Sequence, residues 1–140
     1  MSSSPHEILA EHFSLLPDGD ERLHFLIQLG RGLPPLDEAE RCEENLVRGC
    51  VSSVWLVCER DAEPGGGLRF RGGSEARIVA GLVSIVLSRY SGLVPGAILA
   101  LDPSEVLVGF GLESELSPGR RNGLSSMVAR IRRFAAEALG

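Results

Sequence analysis

Apolar residues first recur at helical spacing in Ile8, Leu9, Phe13 and Leu16, with His12 on the same stripe, between Pro5 and Pro17. That pattern predicts a helix over Glu7–Leu16, ended by the second proline. Asp18 or Asp20 is placed to cap a second helix. In it Leu23, Leu26, Ile27 and Gly30 share one face, widened by Phe25 and Leu29. Leu33-Pro34-Pro35-Leu36 then forces an extended connector, because a residue before proline avoids helical geometry. The acidic residues from Asp37 to Glu44 make the next segment a polar loop or a short helical turn.

From Asn45 the period changes. Leu46-Val47 is a short strand candidate, Gly49-Cys50 a turn, and Ser53–Glu59 a strand apolar on both faces. Val54, Leu56 and Cys58 oppose Trp55 and Val57, the pattern of a central strand. A loop of breaker residues, Asp61 to Gly67, leads to Leu68-Arg69-Phe70-Arg71, whose alternation predicts an outer antiparallel strand with one wet face.

Ser74 is then a candidate N-cap, with Glu75 in the first turn where a helix favours an anion. Val79, Leu82, Val83, Val86 and Tyr90 recur at helical spacing. Ile78, Ile85 and Leu87 make this helix apolar nearly all round, so it is expected at the centre of the core. A short helical piece follows Val94-Pro95, and Val106–Leu112 is ambiguous because Gly109 and Gly111 weaken it. The last helix is the clearest: Ser117 as cap, Pro118 at its first position, and Leu124, Met127, Val128, Ile131 with Ala135 or Phe134 as its stripe. The order of elements predicts an α+β fold over residues 1–140 as one domain. A small three-stranded antiparallel sheet has helices packed on one face, and a long C-terminal helix closes the chain.

Composition narrows the function. All 14 cationic side chains are arginine and lysine is absent. A pyridoxal-phosphate enzyme needs a lysine for its Schiff base and a P-loop hydrolase needs the lysine of its glycine-rich loop, so both classes are excluded. The net charge of −5 argues against nucleic-acid binding. The most apolar run, Ile78–Leu87, is far short of the roughly 20 residues of a membrane span. The first residues lack a basic and apolar leader, which makes the cytoplasm the expected location. Cys42, Cys50 and Cys58 form an odd set with no C-x-x-C pair, against a disulfide framework, a zinc ribbon or a dithiol redox pair. Cys58 reads as a small strand hydrophobe, Cys42 as an incidental thiol and Trp55 as a core residue of its strand. His6, His12 and His24 read as surface or packing residues.

Cys50 differs from the other two. Val47-Arg48-Gly49-Cys50-Val51-Ser52-Ser53-Val54-Trp55 puts a thiol between a glycine and the start of a strand, where a turn presents it. This segment resembles the SufE family, the sulfur-accepting partners of cysteine desulfurases in iron–sulfur cluster assembly. The resemblance is also carried by Arg22 with Leu26–Gly30, Leu33–Leu36, Gly72-Gly73-Ser74-Glu75-Ala76 with Ile78–Leu82, and Leu116–Leu124 with Met127-Val128 and Ile131-Arg132. These segments follow the family's order from about Phe13 to Ala135. Val51 stands where the family usually has Gln, and Gly73 and Glu75 depart from its Gly-Asp-Ser-Asp-Ala helix start.

The resemblance implies that Cys50 takes sulfur from a persulfide on a pyridoxal-phosphate cysteine desulfurase (SufS-like). It then stimulates that enzyme and supplies iron–sulfur scaffold proteins downstream. No cofactor of its own, no nucleic acid and no membrane is implied, nor is stand-alone multi-turnover activity. Arg120, Arg48, Gly49 and Trp55 are expected to support the thiol by charge, loop freedom and shelter, and Glu75 and Arg22 to serve partner docking. The alternative, from a different class, is a metal- or cluster-binding scaffold in which Cys42, Cys50 and Cys58 converge.

Overall fold

A computed structural model describes residues 4–61, 63 and 65–140. Met1 to Ser3, and Ala62 and Pro64 of the expected breaker loop, lie outside the described residues. Helix α1 (Pro5–Ser14) opens on a capping box, in which Ser4 and Glu7 each accept a hydrogen bond from the other's backbone N–H, with Pro5 at the first position. Helix α2 (Gly19–Arg31) is capped by Asp18, whose side chain accepts from the Glu21 N–H at 2.9 Å. Two single 3₁₀ turns, Glu38–Glu40 and Glu43–Asn45, lead to strands β1 (Val54–Arg60) and β2 (Leu68–Ser74). Helix α3 (Arg77–Tyr90), helix α4 (Pro95–Ala100) and the 22-residue helix α5 (Pro118–Leu139) complete the chain.

The α+β class stands, with one correction: among the described residues the sheet has two antiparallel strands, not three. Leu46-Val47 contributes a single bridge, Leu46 to Trp55, and one bond from the Val47 N–H to the Val54 carbonyl at 2.8 Å. The arm has no room to grow. A 3₁₀ turn occupies the residues before it, and Gly49, at φ +91°, turns the chain away after it. β1 is apolar on its outer face for another reason than a flanking strand. Trp55 faces a hollow lined by Leu33, Pro34, Pro35 and Leu36, so irregular chain covers it.

Ser74 does not cap α3. It ends β2, donating to the Ser53 carbonyl at 2.6 Å and accepting from the Ala76 N–H at 3.2 Å, and the helix begins only at Arg77. α3 is the centre of the core, as its all-round apolar pattern predicts, with Leu82, Val83, Ile85, Val86 and Tyr90 wholly buried. It meets α2 where two glycines face each other: a Cβ on Gly30 would lie 2.7 Å from the Gly81 nitrogen. Leu56 and Gly72, paired across the hairpin, give the face on which α3 lies, and a Cβ on Gly72 would come within 3.0 Å of Val83.

On the outer face of the hairpin Arg71 reaches Glu59 at 2.8 Å through Nε and grips Glu40 with both terminal guanidinium nitrogens, tying the first 3₁₀ turn to β2. The bonds from Arg71 hold the Glu40 carboxyl down at about 2. A depressed carboxyl adds stability that is present above its ordinary value of 4.5 and is lost as pH falls toward 2. Glu40→Gln is therefore expected to flatten the acid limb of a stability-against-pH curve between those values and to leave its slope near pH 7 unchanged.

Candidate thiol site

Cys50 lies on a loop held at both ends. The Val47–Val54 bond anchors its start and the Ser74–Ser53 bond its end. Between them Gly49 adopts a left-handed conformation, and a Cβ there would also lie 2.6 Å from Ser126 Oγ. Glycine is thus required twice over, by backbone and by contact.

The turn lays Cys50 against the first two turns of α5. That helix starts where its sequence says it should: Ser117 Oγ accepts from the Arg120 N–H at 3.3 Å, and Pro118 sits at the first position. Gly119 and Gly123, four residues apart and so on one face, leave a smooth patch. A Cβ on Gly123 would touch Cys50 Sγ at 3.5 Å, and one on Gly119 would press on Val51 Cγ2 at 3.2 Å. The thiol points to the Gly123 carbonyl at 3.5 Å, inside a hollow with only about 20 Å³ of open space, which Val79 and Met127 wall from below. Its neighbour Val51 is 88% exposed.

Of the expected supporting residues, the structure brings Arg120, Gly49 and Arg48 round the thiol. Arg120 lines the same hollow, and Gly49 makes the turn. Arg48 is near, but its guanidinium is bound to Glu43 at 2.9 Å. Trp55 and Glu75 belong to a second, larger hollow of about 250 Å³ with Gly73 and Arg41, beyond the Ser74–Ser53 bond. Arg22 is engaged inside the fold, donating to the Leu16 carbonyl at 3.3 Å and facing Glu115 at 3.9 Å, with its guanidinium against Gly111. Sequence reasoning missed Val79, Met127 and the part played by Gly123. A glycine inside the best-formed helix was the available signal, because it costs about 1 kcal/mol against alanine and needs a packing reason.

Electrostatics reverse an expectation. Burial pushes the Cys50 thiol above its ordinary value, and a thiol directed at a carbonyl oxygen is held in its neutral form. Alkylation of Cys50 by iodoacetamide, followed by mass spectrometry of its peptide, is expected to rise about tenfold per pH unit through pH 8. Its midpoint should lie above that of a free thiol, and a plateau below pH 8 would contradict the burial. Cys42 and Cys58 are also free and half-buried, and burial raises the Cys58 thiol as well. The three do not converge: among the described residues no three His, Cys, Asp or Glu side chains gather as metal ligands.

Fold and site together define a small α+β domain that carries a thiol on a glycine-hinged loop, sheltered on the first turns of a long helix. Comparison with known proteins identifies the family. The model of the SufE family, described as an Fe-S metabolism associated domain, matches residues 7–135. A SufE-like protein of Rhizobium etli is 45% identical over 128 residues, covering 91% of this chain and 86% of that one. Another, from Rhizobium meliloti, is 41% identical over 126 residues, covering 89% of each. The solution structure of a hypothetical protein from Thermus thermophilus superposes with a TM-score of 0.75 at 23% identity, covering 99% of this chain and 98% of that one, and shows the same fold. The chain belongs to the SufE family and is associated with iron–sulfur metabolism. No helix among the described residues is long and apolar enough to cross a membrane.

Proposed function

We propose that Cys50 is a sulfur acceptor for a pyridoxal-phosphate cysteine desulfurase and passes that sulfur on to iron–sulfur cluster assembly. The observation that carries this reading is one thiol on a glycine-hinged loop, half-buried in a hollow barely larger than itself. A persulfide is easily reduced or hydrolysed, and such a hollow shields its inner side, while its outer side borders an open depression of about 230 Å³ lined by Leu46 to Ser53.

The transfer is an exchange between sulfurs. The Cys50 thiolate attacks the terminal sulfur of the donor's cysteine persulfide, a new S–S bond forms on Cys50, and the donor's S–S bond breaks. The donor cysteine leaves as a thiolate and takes up the proton that Cys50 gave up, so nothing is oxidised or reduced overall. This chain needs no metal or organic group for that step. Because burial raises the resting thiol, Cys50 becomes nucleophilic when a partner draws it out of the hollow. Arg120, at the rim, is the cation placed to favour the thiolate once it forms.

Docking is assigned to the surface that begins at the exposed Glu75 on the rim of the larger hollow. Arg22 serves it by holding the chain between α1, α2 and the Leu112–Leu116 turn. On this reading the protein works in the cytoplasm, where thiols stay reduced. It accelerates its partner and turns over no substrate alone.

The test is an intact mass after incubation with a desulfurase, its pyridoxal phosphate and cysteine. A gain of about 32 Da, mapped to the Cys50 peptide and removed by reductant, supports the proposal. Sulfur found instead on Cys42 or Cys58, or on none of the three, defeats it.

A further inference from the structure

Val51 is the one large apolar side chain beside the thiol that stands in solvent, 88% exposed. Burying a valine stabilises a fold by roughly 1.5–3 kcal/mol, so this exposure calls for a reason. Three observations supply one. The Cys50 thiol points inward at the Gly123 carbonyl, while the next side chain, Val51, borders the same hollow and stands largely in solvent. Val51 already leans on the mouth of that hollow, where a Cβ on Gly119 would lie 3.2 Å from its Cγ2. The hollow is walled by Val79, Gly123 and Met127, all buried, and would be left as an apolar void if the thiol departed.

We propose that Val51 takes the thiol's place in the hollow when Cys50 swings out, giving the loop two packed arrangements. In one the sulfur is in and the valine out; in the other they are exchanged. The rotation falls on Gly49, whose left-handed conformation makes it the freest joint between the two anchoring bonds. The sizes agree. Valine carries one heavy atom more than cysteine, and the 20 Å³ of open space beside the thiol is about one small group. The hydroxyls of Ser52 and Ser53 follow directly and tolerate water in either arrangement.

Val51 is thus a positioning residue, acting through the loop and not on the sulfur. The inference rests on the sulfur-acceptor reading only for what the outward thiol is used for.

The test needs no partner. In a Cys42→Ser, Cys58→Ser background, Cys50 is alkylated with iodoacetamide across a pH series, which separates the thiol's midpoint from its limiting rate. Val51→Ser, whose side chain gains nothing from the hollow, is expected to lower the limiting rate about tenfold, the factor that corresponds to about 1.4 kcal/mol. Gly123→Ala narrows the hollow enough to keep the thiol but crowd a valine. It should slow alkylation where Val51 is present and have little further effect beside Val51→Ser. An unchanged rate in Val51→Ser would make the valine a bystander, and a faster one would make it a shield; either overturns the proposal. The sulfur-acceptor reading fails separately, if the wild-type protein alkylates as described yet takes up no sulfur from a desulfurase.

Discussion

Gly81→Ala is expected to lower the thermal midpoint by about 10 °C. Two terms oppose each other. Alanine is preferred over glycine inside a helix by about 1 kcal/mol. Against that, the added Cβ would lie 2.6 Å from Leu26 Cγ and 2.8 Å from the Leu26 carbonyl carbon. A side chain can rotate away, but the α2 backbone cannot without moving Leu26 and Phe13 out of a filled core. Overpacking of this kind costs about 1–3 kcal/mol, and a clash with backbone falls at the upper end. For a chain of this length that corresponds to the shift given, and it takes a large share of a typical stability of roughly 5–15 kcal/mol. Gly96→Ala is the control. Gly96 lies in α4 with nothing within 4 Å of the added carbon, and should leave the midpoint unchanged or slightly raised. A midpoint for Gly81→Ala equal to that of Gly96→Ala would mean that α2 and α3 do not cross as closely as described.

Cys50→Ser is expected to abolish sulfur uptake while leaving the fold intact. Oxygen is smaller than sulfur and can donate to the Gly123 carbonyl as the thiol does, so the hollow tolerates it. A serine hydroxyl has no thiolate to attack a persulfide, so the loss is total and not graded. Circular dichroism and the thermal midpoint should match the wild type, within the roughly 1 kcal/mol that a hydroxyl in an apolar hollow costs. Stimulation of the desulfurase should disappear with the uptake. If the variant stimulated its partner at full strength, the thiol would be irrelevant and the protein would act through its docking surface alone.

Much of the fold was legible in local sequence because local rules produced it. α5 starts at Pro118 since Ser117 caps it, α2 starts after the Asp18 cap, and α3 is central since it is apolar all round. The misread elements were those where covering chain imitates regular structure. β1 is apolar on both faces, which suggests a strand on each side. The outer cover is instead the Leu33–Leu36 connector and a one-bridge arm, and no periodicity in β1 distinguishes the two. Ser74 has the right residue type for a cap, yet its hydroxyl is taken by a carbonyl 21 residues away.

The candidate site divides along the same line. That Cys50 sits at a turn follows from Gly49 before it and the strand after it, a matter of a few adjacent residues. Sequence also excluded lysine-dependent chemistry outright. What surrounds the thiol is contributed by Val79 and by α5, whose Gly123 lies 73 residues further along the chain. Only the packed molecule decides that Arg48 is paired elsewhere, that Trp55 faces another hollow, and that burial raises the thiol. Residue type and neighbours set where a chain bends and what chemistry it can offer. Desolvation depends on which distant surfaces close over an atom, and that is a property of the three-dimensional packing.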